Sequence, residues 1–176
     1  MSKTKIIISA IASLCIASQC PGRGTSVSTA DLLYGQRTSV SLRNVHINYD
    51  GKNTVILSTK SRQIQIAANA PAQISVSPNS RYVVYDFGRD SGQIYNIEVH
   101  DLMRGGMDRL NYFKRRVIKF GRSRPSCYVK YDEVSYLFTK WLGEAAFQVR
   151  TEDWTRRPGC GHLNRSWRID LRRMAL

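Results

Sequence analysis

The sequence predicts an all-β protein: a single antiparallel β-sandwich or barrel-like domain of about eight short strands behind an N-terminal signal segment. Three observations support this prediction. Apolar residues recur at every second position through most of the chain after Ser39. Turn signals such as Asp50-Gly51 separate the alternating runs. No stretch of about a dozen residues keeps a convincing helical period. Frequent turns between short strands are typical of sandwiches and barrels.

The strands follow one another along the chain with little room for other elements. The predicted strands lie within residues 40–59, 61–77, 81–102, 110–120, 127–142, 144–154 and 166–173. The first of these stretches is a hairpin around Asp50-Gly51, and the third turns around Asp90 to Gly92. The best remaining place for a short helix is Asp101 to Phe113.

Residues 1–19 have the layout of a secretory signal peptide, with cleavage predicted near residues 17–19. Lys3 and Lys5 precede an apolar run of about twelve residues, which is shorter than the roughly twenty that span a bilayer. The alternative is a buried N-terminal helix of a cytosolic protein. The Gly-rich, polar residues 20–38 are predicted to be a tether, and residues 39–176 form the β-domain.

Cys20 follows the apolar run at the position where bacterial lipoproteins carry their acylated cysteine. The stretch from Ala17 to Cys20 resembles a lipobox, except that Gln19 stands where that pattern has a small residue. Lipidation at Cys20 and ordinary cleavage after Ala17 therefore remain as two alternatives. The protein is predicted to be periplasmic, with a membrane anchor if Cys20 is lipidated.

Cys127 and Cys160 are the natural disulfide pair in an oxidising compartment. Such a bond would close a loop of about thirty residues and stabilise the fold by around 3 to 4 kcal/mol. Cys20 is then the odd cysteine, which lipidation would explain. The alternative is three free buried thiols.

The formal net charge is +14, and residues 101–176 carry 17 basic against 8 acidic side chains. The basic residues alternate with aromatic ones, which indicates folded basic surface. Guanidinium groups bind carboxylate and phosphate in a bidentate manner, so the candidate partners are an acidic protein, a phosphate-rich polymer or an anionic membrane surface. Nucleic acid is the weakest candidate because export separates the protein from it.

The predicted disulfide would bring two basic segments together, so parts of both segments should share one surface. The predicted partner-binding residues are Arg122, Arg124, Arg156, Arg157 and Arg165. The alternative is a generally basic, solvated face. Trp141, Trp154 and Trp167 are predicted to pack in the core or between strands.

One stretch, residues 75–102, resembles a single repeat of the Tol-type and WD-type β-propellers. Ser77, Pro78 and Asn79 hold the turn before one strand, and a second strand ends in "VHDL". The family has glycine where this chain has Ser80. No second clear copy is present, so the resemblance implies shared turn chemistry without a closed propeller or its function.

No catalytic motif is complete. Gly159-Cys160 resembles the nucleophile turn of peptidoglycan L,D-transpeptidases, but His162 occupies the place of that family's arginine and its upstream histidine motif has no counterpart. The spacing of the cysteines and histidines does not match that of a zinc site, and phosphate-binding loops are absent from the sequence. A non-enzyme without cofactor or metal is therefore predicted.

In size, export signal and single disulfide, the chain resembles, by general type, small exported bacterial immunity proteins and periplasmic enzyme inhibitors. The resemblance implies a protein that binds and neutralises an acidic partner, either a secreted toxin or an envelope enzyme, through its arginine-rich face. The alternative is a binder of lipopolysaccharide, phospholipid or another anionic surface. An envelope hydrolase or transpeptidase using Cys160 and His162 is the third hypothesis.

Overall fold

The computed structural model describes residues 29–67, 72–87 and 96–174. These residues form twelve strands and one α-helix, so the all-β prediction is confirmed. The elements are β1 Thr29–Leu32, β2 Thr38–Leu42, β3 Val45–Tyr49, β4 Thr54–Ser58, β5 Gln63–Ala67, β6 Ala72–Val76, β7 Tyr82–Phe87, β8 Asn96–Asp101, β9 Met107–Asp108, α1 Asn111–Gly121, β10 Val134–Trp141, β11 Ala146–Asp153 and β12 Arg165–Asp170. Short 3₁₀ turns cover Tyr131–Glu133, Gly161–Leu163 and Leu171–Arg173.

The strands form three antiparallel sheets, and none of them closes into a barrel. The central sheet has the order β1-β6-β7-β8-β9. A meander of β2 to β5 makes the second sheet, and β10 to β12 make the third, which we call the outer sheet. The meander covers one face of the central sheet, and the outer sheet together with α1 covers the other.

Strand β7 shows how the central sheet serves two cores. Successive side chains of a strand point to opposite faces. Tyr82 and Val84 accordingly pack in the core shared with α1 and the outer sheet. Val83 and Tyr85 pack in the core shared with the meander. The continuous apolar run "YVVY" is thus explained by burial on both faces.

Two polar contacts join the central sheet to the outer sheet through the core that these sheets share with α1, which we call the first core. The indole Nε1 of Trp141 donates a hydrogen bond to Ser75 Oγ at 3.0 Å, and both residues are buried. The backbone N–H of Phe138 donates to a carboxylate oxygen of Asp86 at 3.1 Å. Because buried polar groups are costly when unpaired, these contacts favour one alignment of the two sheets.

Helix α1 replaces a strand predicted within residues 110–120, and that part of the prediction was wrong. Phe113, Val117, Ile118 and Gly121 are buried at spacings of three or four residues, as on one face of a helix. A Cβ at Gly121 would lie 3.1 Å from side-chain atoms of Leu163 and of Val129, so the helix end is closely packed. Two of the five buried positions are Lys114 and Gly121, so the apolar stripe of the helix is incomplete in the sequence.

Residues 29–32 lie within the predicted tether but form strand β1, which pairs with β6. Ala30 and Leu32 are buried there. Only two apolar residues alternate in this short strand, and its polar, Gly-rich surroundings gave no strand signal. The predicted signal peptide and Cys20 lie outside the described residues. Among the described residues, no helix is long and apolar enough to cross a membrane.

The propeller-like stretch forms β7 and β8, which pair antiparallel. The turn before β7 is held by Ser77, whose hydroxyl donates to Asn79 Oδ1 and accepts from the Tyr82 N–H. Ser80 has φ 59°, which is the left-handed region that favours glycine. The position where the propeller repeats carry glycine therefore has the backbone conformation of a glycine in this chain as well.

A lysine is buried where α1 packs on the outer sheet. The Lys114 side chain places Nζ 5.6 Å from the ring centroid of Tyr136, and the residue is only 8% exposed. Burial lowers the pKa of Lys114 to about 8, and the nearby Glu98 carboxylate partly opposes this shift. The folded state therefore binds this proton less tightly than the unfolded state does.

We predict that Lys114→Met raises the free energy of unfolding at pH 7 by about 1 to 2 kcal/mol, because it removes a desolvated charge at similar volume. The wild-type protein should gain stability between about pH 8 and the unfolded lysine pKa, where only the unfolded chain keeps the proton. The advantage of the variant should therefore shrink over that range. Urea unfolding at neutral and alkaline pH measures both effects.

The exposed Lys119 on the same helix provides the control, because Lys119→Met should leave stability nearly unchanged at both pH values. A gain for Lys114→Met that stays constant from pH 7 to alkaline pH would contradict the role given to its charge.

Candidate functional site

The disulfide between Cys127 and Cys160 is confirmed. Both residues are buried, and the bond joins the loop after α1 to the loop after β11. The two loops approach closely, since a Cβ at Gly159 would lie 2.5 Å from Ser126 Oγ. Gly159 also has φ +86°, so this position requires glycine on both grounds. The disulfide is consistent with an exported protein.

Tyr128, the residue after Cys127, is held by two of the five predicted arginines. The Arg122 guanidinium carbon lies 4.9 Å from the centroid of the Tyr128 ring, and its Nη2 donates to the carbonyl of Val129 at 3.2 Å. Arg157 donates from Nη1 to the carbonyl of Tyr128. Tyr128 nevertheless remains 63% exposed. Its ring is thus exposed to solvent, with the Arg122 guanidinium packed against one side of it.

Arg157 is anchored further by acidic groups. Its Nη2 donates to the Glu133 carboxylate, and its backbone N–H donates to Asp153 Oδ2 at 2.7 Å. Asp153 also accepts hydrogen bonds from the backbone and hydroxyl of Thr155. Asp153 therefore orders the turn that carries Arg156 and Arg157, and Glu133 orients the second of these arginines.

Arg124 and Arg156 differ from Arg122 and Arg157 in their side-chain contacts. Both side chains are exposed, and neither has an ion pair, side-chain hydrogen bond or ring contact within the described parts of the chain. Arg124 lies in the turn before Cys127, where its carbonyl accepts from the Cys127 N–H. Arg156 lies in the turn that Asp153 orders. These two arginines keep their full charge for a partner.

Arg165 begins β12 and packs against the C-terminal end of α1. Its guanidinium carbon lies 5.0 Å from the ring centroid of Phe120 and 4.6 Å from that of Trp167. Phe120 in turn contacts the His162 ring, whose Nε2 lies 3.2 Å from the carbonyl oxygen of Gly121. Arg165 thus packs on aromatic rings near the disulfide-linked loops.

Trp154 was predicted to pack with the other tryptophans, but it is 54% exposed. Its backbone N–H donates to the carbonyl of Glu133, next to the ion pair with Arg157. Trp141 is buried and Trp167 is half-buried. Only the charged residues on both sides, in "EDWTRR", distinguish Trp154 in the sequence. We call Arg122, Arg124, Tyr128, Trp154, Arg156 and Arg157 the arginine face, with Arg165 beside it.

The Cys160–His162 pair does not form a thiol-imidazole couple in this structure. The Cys160 sulfur is bonded to Cys127, and both His162 ring nitrogens lie near backbone carbonyl oxygens, Nδ1 at 3.1 Å from Gly159. Across residues 29–67, 72–87 and 96–174, no group of three or more His, Cys, Asp or Glu side chains could hold a metal ion.

The fold and this site define a disulfide-bonded all-β protein with a basic surface that carries exposed aromatic rings. Comparison with known protein families, curated proteins and solved structures gives no match.

Replacing both bonded cysteines, as Cys127→Ser with Cys160→Ser, should lower the free energy of unfolding by about 3 to 4 kcal/mol. The expected loss comes from the loop that the bond closes in the unfolded chain. Urea unfolding of the variant and the parent, both carrying Cys20→Ser, checks this value. A loss below about 1 kcal/mol, or alkylation of Cys160 without prior reduction, would count against a stabilising disulfide.

Proposed function

We propose that the protein is a non-enzymatic, exported envelope protein that binds and neutralises an acidic protein partner through the arginine face. The partner is a secreted toxin or an envelope enzyme, so the protein acts as an immunity protein or an enzyme inhibitor. The observation that carries the proposal is the exposed Tyr128 ring, held by Arg122 and Arg157 beside the disulfide.

The composition of the arginine face is that of a protein-binding surface. Tyrosine, tryptophan and arginine are the residues that most often dominate binding energy in interfaces. Tyr128 and Trp154 expose large rings there, next to the arginines. Because the contacts of Arg122 and Arg157 hold the backbone and ring of Tyr128, little side-chain entropy is lost when a partner covers it.

Charge supports an acidic partner. The chain carries a net charge of +14, and Arg124 and Arg156 are uncompensated within the described residues. Such a surface accelerates association with a protein whose cleft is lined by carboxylates, and it disfavours basic partners. Once docked, the face would block that cleft sterically. No bond of the partner needs to be broken in this mechanism.

The proposal also includes a periplasmic location. The disulfide supports an oxidising compartment, which for a bacterial envelope protein is the periplasm. Lipidation of Cys20 would hold the protein at the membrane, and cleavage after Ala17 would release it.

A pull-down from envelope and secreted fractions tests the proposal, using the tagged protein washed at about 0.15 M salt and then at several-fold higher salt. We expect one acidic protein to be retained stoichiometrically. Tyr128→Ala and Trp154→Ala should each weaken its affinity at least tenfold, as expected of interface hot spots. Arg124→Ala with Arg156→Ala should mainly slow association.

The control variant, Arg37→Ala with Lys52→Ala, removes the same charge from the loop before β2 and from the turn between β3 and β4. Both belong to the meander side of the central sheet, opposite α1 and the outer sheet. The control variant should leave the affinity unchanged. Recovery of only lipid or polymer, released by salt, would contradict an inhibitor and favour a general anion-binding surface. Equal losses in the control and the face variants would show that net charge, rather than this face, determines binding.

A further inference from the structure

A groove lies away from the disulfide, where the turn before β7 faces the hairpin between β10 and β11. It has a volume of about 460 Å³ and is lined by residues of the turn, by residues 142–146 of the hairpin, and by Arg168 and Arg172. A smaller cavity of about 210 Å³ shares Arg81, Tyr82 and Arg172 with it and adds Arg104. None of these arginines belongs to the arginine face.

Arg81 is fixed from one side by a buried carboxylate. Its Nε and Nη2 donate to Asp101, with an Nη2 to Oδ2 distance of 2.8 Å, and the Asp101 side chain is fully buried. Burial alone would raise the pKa of Asp101. Hydrogen bonds from Arg81 and from the backbone N–H groups of Arg104 and Met103 outweigh burial and hold this pKa below its ordinary value. The pair therefore stays ionised.

Arg172, which also lines the groove, repeats the same arrangement. Its Nε donates to Asp170 Oδ1 at 3.0 Å, and its Nη2 donates to Oδ2 at 2.7 Å. The Asp170 carboxylate also accepts the backbone N–H of Arg172. Chiefly through the hydrogen bond from the Arg172 side chain, the pKa of Asp170 is lowered to about 2. This guanidinium is therefore also oriented by its own carboxylate.

A guanidinium has five N–H donors. In each of these two arginines, only Nε and Nη2 donate to the paired carboxylate. Within the described residues, Nη1 of Arg81 and Nη1 of Arg172 have no acceptor. The remaining edge, between Nη1 and Nη2, can bind a second oxyanion through two parallel hydrogen bonds. Both arginines can therefore bind a ligand without breaking their ion pairs.

Two more lining residues can donate to an anion. Arg168 is exposed and has no ion pair or hydrogen bond within the described residues. The Oδ1 of Asn79 is already occupied by Ser77 and by the Arg81 N–H, so its amide nitrogen is the group left for a ligand. Glu144 is the one acidic side chain that lines the larger cavity, among the residues described.

We propose that this groove binds a small phosphate-bearing molecule. Together the three guanidinium groups and the Asn79 amide offer more N–H donors than the two oxygens of a carboxylate would accept, whereas a phosphate group offers at least three acceptor oxygens. Tyr82, Leu142 and Ala145 give the groove an apolar part that suits the organic portion of a phosphate ester. The volume falls within the range of about 300 to 1,000 Å³ usual for small-molecule sites. This site is independent of the proposed function.

Isothermal titration at low salt tests the site with three probes: inorganic phosphate, pyrophosphate and phenyl phosphate. We expect pyrophosphate and phenyl phosphate to bind more tightly than inorganic phosphate. Arg168→Gln should weaken both about tenfold, because it removes one charge-assisted hydrogen bond without disturbing an ion pair. Glu144→Gln should tighten both several-fold, because it removes the opposing charge.

The matched control is Arg124→Ala with Arg156→Ala, which should leave phosphate binding unchanged while impairing capture of the protein partner. Failure of one proposal therefore leaves the other standing. No binding of pyrophosphate or phenyl phosphate would overturn the site. Binding that ignores both Arg168→Gln and Glu144→Gln, or that falls with the control variant, would overturn it as well.

The same phosphate chemistry could come from a free metabolite or a lipid headgroup, and vesicles separate the two. Flotation with phosphatidylcholine vesicles, with and without phosphatidic acid, compares the wild-type chain with Arg168→Gln. Arg168-dependent flotation on phosphatidic acid would assign a lipid headgroup. Binding of the soluble probes without flotation would assign a free phosphate ester.

Discussion

Both faces of the central sheet are apolar and must be shielded from water, and the other layers of the structure cover them. Tyr82 to Tyr85 alternate between two cores, so neither face of β7 can remain solvated. The chain before β6 supplies the meander for one face. The chain after β9 supplies α1 and the outer sheet for the other. Loss of either layer would expose an apolar face that a domain of this size cannot leave in water.

Polar residues of the central sheet decide how the outer sheet aligns. Ser75 and Asp86 face the first core and receive hydrogen bonds from Trp141 and Phe138. Apolar packing tolerates small shifts between layers, whereas an unpaired buried hydroxyl or carboxylate is costly. These contacts also set the position of the β10–β11 hairpin relative to the turn before β7. The groove lined by Arg81 and Arg168 therefore depends on the alignment of the sheets.

Local chemistry made part of this structure predictable. Asp50-Gly51 indicates a hairpin because Asp50 accepts three backbone N–H groups and Gly51 has φ +83°. The disulfide followed from cysteine count and compartment. The three-layer stacking, β1 and α1 depend on tertiary burial, which alternation in a single strand does not reveal. Likewise, sequence placed arginines near the disulfide, but only the fold shows that Tyr128 and Trp154 are exposed beside them.

The two basic regions hold their arginines differently, and this difference implies different kinds of recognition. In the groove, Arg81 and Arg172 are each paired with a carboxylate, so their net charge is low while their direction is fixed. Such groups select a ligand by geometry. On the arginine face, Arg124 and Arg156 keep their full charge and have no fixed acceptor among the described residues. Charges of that kind act at a distance and accelerate encounter, while the neighbouring aromatic rings supply the contact energy.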